Sequence, residues 1–436
     1  MKRYLAGVFI FAIIFSGALA AAKSVPLVPH ASHGIEFLAR GNGGIIIARA
    51  GGSRGGLALF TFKGDRVSRV GSIVKGQVNH SPDLPIAFIQ TADGKFAALV
   101  EVFVQGAGRT ARGTIALSKL DGSGSEIWSR SFGEAGLDYK PIDLVQTSEG
   151  GFVIAGATVQ SAAIWNSLLI RTDASGNQIW KKVIPASSYS SFNRIIKTSD
   201  GGFVLYGYDR LQDSANIRIV KVTAGGDLVW QRTFPGKGDA LSLPVLTGQG
   251  GQIYLQVKSE NAVPLIIPLG SDGSPGYPAT LAGLSASAEL EDAVPLEDGS
   301  FVLCGHTGGD ASNVLLCQWR PGAGLVWQKS IDVSGTDLGR LVRRAPDGGY
   351  YVYAVTGYSY NYSTQKYSYK NTMIKTDSLG NTLWRESFTV GLADSVQDMH
   401  VLPDGRVVLL LSTIKGGKQG AYVLFTEAGG RPGSVR

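Results

Sequence analysis

Cysteine, methionine and histidine are scarce in this chain, with two, three and five copies in 436 residues. No Cys/His spacing of a zinc site can be assembled from so few ligands. A P-loop and an H-E-x-x-H helix are also missing. Charged residues make up only 17% and apolar ones 44%, which excludes a disordered chain. Beyond the N-terminus no run is long and apolar enough to cross a bilayer, so no transmembrane span is expected in the mature chain. Lys and Arg are dispersed, with only short doublets such as Arg343 and Arg344, and the formal charge of +7 falls to +5 without Lys2 and Arg3. That pattern is a poor electrostatic footprint for nucleic acid, which is not expected as a partner.

Glycine is the residue in excess, at 59 copies, without the strict period of collagen. Together with the apolar content it predicts a turn-rich, well-cored all-β protein. The N-terminus reads as a secretory signal over residues 1–20: a basic "MKR", an apolar "YLAGVFIFAIIFSG" and the small residues Ala18 to Ala20. Cleavage is expected at 20–22, leaving a periplasmic or secreted product. An uncleaved membrane anchor is the alternative.

One phrase recurs. "TSDGGFVLYGY" at Thr198 is matched by "TSEGGFVIAGA" at Thr147, "LEDGSFVLCGH" at Leu296 and "APDGGYYVYAV" at Ala345. Its marker glycine falls at Gly43, Gly94, Gly150, Gly201, Gly250, Gly299, Gly348 and Gly405, with spacings of 51, 56, 51, 49, 49, 49 and 57. Such a period signals a repeat architecture. Each copy reads as an apolar run, an Asp-Gly turn and a second apolar run, which is a hairpin. An alternating stretch such as "IRIVKV", a second Gly turn and a run such as "LVWQRTF" follow. Every unit is therefore a four-stranded antiparallel meander. Stacked radially, such sheets bury both faces. The expectation is an all-β, eight-bladed β-propeller of four-stranded antiparallel blades spanning 24–436 as one domain, with seven blades as the alternative count. The segment Ser24 to Ser32 is expected to complete the last blade and join the termini in one sheet.

A fourth-strand Trp recurs at Trp128, Trp180, Trp230, Trp327 and Trp384. A large ring at equivalent positions suits an inter-blade anchor. Cys304 and Cys317 flank a loop. In a symmetric hairpin they would face each other, which leaves a disulfide and two buried thiols both open.

The turn phrase, with "TDASGNQIWKKVI" and its relatives, resembles the repeat of a family of exported bacterial β-propellers whose units read roughly TSDGGFVLAGYT and then LVKTDxxGNxxWxKTFG. More distantly the Trp position is similar to that of quinoprotein-like propellers. The resemblance implies fold and export but no particular reaction. The chain lacks the adjacent Cys pair of quinone-dependent alcohol dehydrogenases.

Few residues suggest chemistry. "GGSRG" at Gly51 matches a nucleophile elbow but lies between strands, where that turn does not form. Aligned on the turn, the first strands carry Glu36, Asp143, Asp292 and Asp398 near the mouth of a central channel, a set of oxygen ligands suited to Ca²⁺; no other cofactor is expected. Tyrosine gathers on the loop face: Tyr358, Tyr360, Tyr362, Tyr367 and Tyr369 in unit seven, with Trp165 in unit three and Tyr139 and Tyr189 in the inter-blade loops. Tyr offers a large amphipathic contact area at low entropy cost. These features predict an exported, non-catalytic binding or scaffolding module for an envelope or extracellular protein or glycan. The alternative is a channel-mouth enzyme (lyase, glycosidase or quinoprotein-like) using the acidic set.

Overall fold

A computed structural model describes the strand backbone from Ser24 and the side chains from residue 86. Residues 1–23, the links between the first strands, 106–110, 162–163, 185–188, 212–213, 237–244, 248–252, 258–263, 416–417, 433–436 and a few single positions lie outside the description, as do some strand-end side chains. The expected signal segment falls in that outside set.

Every described element is a strand. Eight four-stranded antiparallel units follow one another, spanning 35–73, 84–132, 138–184, 189–236, 245–280, 289–331, 338–388 and 392–425. Units three and four are joined into one eight-stranded sheet by a parallel bridge between Trp165 and Tyr189. A two-stranded pair, Gln77–Val78 with Ser81–Pro82, links units one and two. Unit eight has three strands of its own, and Ser24–Pro29 supplies the fourth, with Val25 opposite Val423 and Pro29 opposite Gly420. Proline is tolerated there because this strand is the outermost of its sheet.

The recurring phrase builds each first hairpin. In unit four the Thr198 amide bonds to Gly202 O, and Gly201, at φ 79°, returns an N–H to Thr198 O. This is a type I turn followed by a left-handed glycine, which a side chain would strain. The Asp carboxylate is locked from two directions. Asp200 accepts from the Gly202 amide at 2.9 Å and from Lys221 Nζ, on the third strand, at 2.7 Å. Lys119 with Asp93 and Lys375 with Asp347 repeat the clamp at 3.1 and 2.8 Å. The second turn is equally self-contained: Asp173 accepts from the Ser175 and Asn177 amides, and Asp377 does the same for Leu379 and Asn381. The repeated aspartates therefore shape turns.

The core lies between units. Leu117 and Ile115 of unit two pack with Phe152 and Ile154 of unit three. Val302 and Leu316 of unit six pack with Tyr350 and Val352 of unit seven. Val204 of unit four meets Ile267 of unit five. Face-to-face burial of this kind is the main stabilising term for stacked sheets. The first strands stand side by side: unit one touches units two and eight, and further contacts join two to three, three to four, five to six, six to seven and seven to eight.

Cys304 and Cys317 are buried and unbridged, which corrects the disulfide alternative. Cys304 pairs with Leu316 and Cys317 with Leu303. That one-residue offset sends the two thiols to opposite faces of the sheet, one into the core shared with unit seven and the other into the core shared with unit five. Burial pushes both thiols up, Cys317 to about 12.

Candidate functional site

Six first strands carry a β-bulge, and the aligned positions follow it directly. Register shifts between Pro85 and Ala87, Pro141 and Asp143, Phe192 and Arg194, Leu290 and Asp292, Gly339 and Leu341, and Val396 and Asp398. A bulge releases one amide from the ladder. In two seams the aspartate of the preceding unit accepts a first-strand amide just beyond the bulge. Asp143 accepts from Ile195 N at 3.0 Å, and Asp292 from Val342 N at 2.9 Å. Arg343 then bridges two acids, donating to Asp292 and, at 2.8 Å, to Asp398, while its Nε reaches Met399 O at 2.7 Å. Burial raises the Asp143 and Asp292 carboxyls, and amide bonds together with Arg194 or Arg343 oppose that rise.

The structure thus sets Asp143, Asp292 and Asp398 at the seams between first strands, bonded to backbone and to arginine. Glu36 lies on its first strand with its side chain outside the description. Among the described residues no group of three or more His, Cys, Asp or Glu is placed to hold a metal ion. The amides and arginine around these carboxylates favour the charged form and hold the groups in place.

The residues that sequence reasoning missed are those in the bulges: Ile86, Ile142, Asn193, Glu291, Arg340 and Gln397. Glu291 and Arg340, in neighbouring units, pair at 2.6 Å. They share no chemistry, so residue type gave no signal. Asp337 and Asp394 were also missed. Both are buried and cap inter-unit loops, Asp337 accepting from Val333 N, Ser334 N and Gly357 N, and Asp394 from Val390 N and Gly391 N. A small residue three places before the aspartate, Ser334 in "SGTD" and Gly391 in "GLAD", was the available clue.

The five indoles sit at seams. Trp128 meets Phe152 of the next unit edge-on at 6.1 Å, Trp327 tilts against Tyr350 at 6.3 Å, and Arg431 lies over Trp384 at 4.9 Å. Trp180 and Trp230 pack against the cores that join units three to four and four to five. The turn glycine of the following unit makes room for the ring: a Cβ at Gly176 would come within 2.5 Å of Trp128, and one at Gly380 within 2.6 Å of Trp327.

The tyrosines divide. Tyr139 is 1% exposed and belongs to the core between units two and three, so it is no surface group. Trp165 is half-buried at the bridge to Tyr189, whose side chain is outside the description. The other five form an arm. The second and third strands of unit seven, Tyr350–Asn361 and Lys366–Thr376, run 12 and 11 residues, against 6 and 7 for Phe301–His306 and Val314–Arg320 of unit six. At ~3.3 Å per residue the hairpin reaches roughly 15–20 Å further. Tyr360 pairs with Tyr367, so alternation gathers all five rings on one side of the ribbon. Tyr358 stacks on Tyr367 at 5.5 Å, Tyr360 lies 4.7 Å from Tyr367 and 5.0 Å from Tyr362, and Tyr369 donates to Asp394 O at the base. At the tip Tyr362 and Tyr367 are 85% and 55% exposed.

No family model and no curated protein matches the chain. Among solved structures it is similar to a quinohemoprotein alcohol dehydrogenase from Comamonas testosteroni, with TM-score 0.49 and 12% identity over 94% of this chain and 77% of that one. The β-propeller domain of the Trilobed protease from Pyrococcus furiosus gives 0.42 and 13% over 82% and 97%. A puromycin-hydrolyzing peptidase of Mycobacterium tuberculosis gives 0.45 and 14% over 87% of this chain and 58% of that one, so the chain spans little more than half of that peptidase. No activity follows from likenesses at this level.

Proposed function

We propose that the chain is an exported, non-catalytic eight-bladed β-propeller, one domain over 24–436, that binds an envelope or extracellular protein or glycan through its loop face. Eight successive four-stranded units, first strands in contact at seven of the eight junctions, the core shared by units four and five, and Ser24–Pro29 paired into unit eight support the closed ring. The observation that carries the binding reading is the tyrosine arm, whose tip leaves Tyr362 and Tyr367 largely in solvent. Rigid, amphipathic rings on a hairpin are efficient contact surfaces because little entropy is lost on docking. An acidic enzyme site at the channel mouth draws no support from carboxylates bonded to amides and to Arg343.

The test is capture from the native envelope by the mature protein. Replacing Tyr360, Tyr362 and Tyr367 by Ala should abolish recovery of the partner while leaving the melting curve unchanged. Equal recovery by the triple variant would refute the arm as the binding surface.

A further inference from the structure

We propose that the outer edge of residues 366–370, on the arm of unit seven, is an open slot that takes up an extended, acidic segment of a partner protein as an added strand. The inference deepens the binding reading above and rests on it. The third strand of unit seven, Lys366–Thr376, pairs with the fourth, Thr382–Phe388, only from Asn371, opposite Phe388, to Thr376. Residues 366–370 therefore outrun the fourth strand. On the inner side they pair with the second strand, Ser368 opposite Ser359 and Tyr367 opposite Tyr360. On the outer side no strand pairs with them among the described residues. Other units close this place. In unit six the third strand is paired from its first residue, Val314 opposite Ile331, and in unit four from Ala215, opposite Gly236. Unit two has an overhang before Ile115, and there Asp138, at the start of unit three, accepts from Gly113 N at 2.6 Å. Unit three has one before Ser167, where Tyr189 of unit four bridges to Trp165. Unit eight takes Ser24–Pro29 as its fourth strand. The fold thus fills this position with a neighbouring segment elsewhere and leaves it open in unit seven.

The side chains say what the added strand must carry. Alternation sets Lys366, Ser368 and Lys370 on one side of the ribbon and Tyr367 and Tyr369 on the other. Lys366 and Lys370 are exposed and form no ion pair among the described residues. The stretch 356–376 contains three Lys and no Asp or Glu. Asp337 and Asp394, at the base of the arm, are buried and taken up by backbone amides, and Glu386, on the fourth strand, pairs with Arg431 at 3.6 Å. An incoming strand with Asp or Glu at alternate positions meets the lysines, and Val, Ile or Thr between them meets the tyrosines. Both are favourable cross-strand pairs. The pattern is symmetric about Ser368, so it serves either strand direction. The same symmetry argues against a second copy of the chain: two such edges paired antiparallel about Ser368 would set Lys366 against Lys370 twice. A glycan engages the rings and leaves the edge bare. In strand addition the main-chain bonds supply affinity and the alternating side chains supply selection.

The probe is a synthetic peptide of about nine residues alternating Glu and Val, long enough to span the slot. A Lys-Val peptide and a fully N-methylated Glu-Val peptide are the comparisons. At about 1 mM, where even weak association registers, the Glu-Val peptide should bind the full mature chain and slow amide hydrogen exchange over 366–370. The Lys-Val peptide should not bind. Neither should the methylated one, which keeps the side chains and loses the ladder donors. Lys366→Gln with Lys370→Gln should weaken the Glu-Val peptide about tenfold. Lys366→Glu with Lys370→Glu should reverse the preference in favour of the Lys-Val peptide. The Glu-Val peptide should also release the captured envelope protein. No protection over 366–370, equal binding of the methylated peptide, or indifference to both charge changes would each overturn the proposal. So would a dimer of the chain through this edge, or a glycan that displaces the envelope partner without protecting 366–370. If capture still requires Tyr360, Tyr362 and Tyr367 while the peptide neither binds nor competes, the binding reading stands and this inference falls.

Discussion

A glycine in the last turn of one unit is a socket for the tryptophan of the unit before it. Gly380 has φ 77°, and an added Cβ would lie 2.6 Å from the Trp327 ring. Gly348, in the same unit, has φ 85° with nothing within 4 Å of the added atom. The two positions separate backbone strain from seam packing. Gly348→Ala should cost about 1 kcal/mol, the left-handed penalty alone. Gly380→Ala should cost about 3 kcal/mol, because the indole must also move. Urea unfolding of the two variants reads the difference directly. Equal losses would mean that Trp327 does not rest on Gly380.

At the scale of the element, the bulged first strands decide what the acidic positions do. Arg343 holds Asp292 and Asp398 together, and both carboxylates are sheltered from water. Arg343→Met should therefore destabilise the chain by about 2–3 kcal/mol near neutral pH, since two acids lose their cation. Burial already raises Asp292, and without Arg343 its carboxyl would rise further. A raised carboxyl penalises the charged form, so the loss is full above the folded pKa and shrinks as pH falls through it. Stability of the variant should recover in part as the pH is lowered into the acidic range, and adding Asp292→Asn should remove that recovery. A pH-independent loss would show that Arg343 acts through packing alone. These contacts also mark where the sequence stops being legible. The turn at Thr198 to Gly202 was readable because its glycine and aspartate are each required by local geometry. The four-stranded pattern was readable from alternation. The bulge was not, because Asn193, Glu291 and Ile142 occupy it equally well. Hence the bonds of Asp143 to Ile195 N and of Asp292 to Val342 N across the seams could not be read from residue type. The cysteines failed for a related reason: a one-residue register offset, invisible in spacing, turns Cys304 and Cys317 to opposite faces. Tyr139 was read as a surface ring, yet its strand position buries it.

For the whole molecule, the decisive contact is the one between the two ends of the chain. Ser24–Pro29 covers the edge of Lys418–Phe425, and the first strand of unit one touches that of unit eight. In an open array of repeats the end units are held on one side only and unfold first. In a closed ring every unit has two neighbours and the array should unfold as one. A chain beginning at Ser24 should accordingly show a single sharp transition. Removing residues through Pro29 takes away a strand and leaves a bare edge, which favours pairing with other molecules. The shortened chain should lose about 3 kcal/mol or more from the ladder bonds of that strand. It should unfold in two steps and self-associate. A synthetic peptide of Ser24 to Ser32 added in trans should restore the single transition by strand addition. Calorimetry with light scattering distinguishes the outcomes, and a shortened chain that melts like the parent, untouched by the peptide, would show that the ring does not depend on this strand.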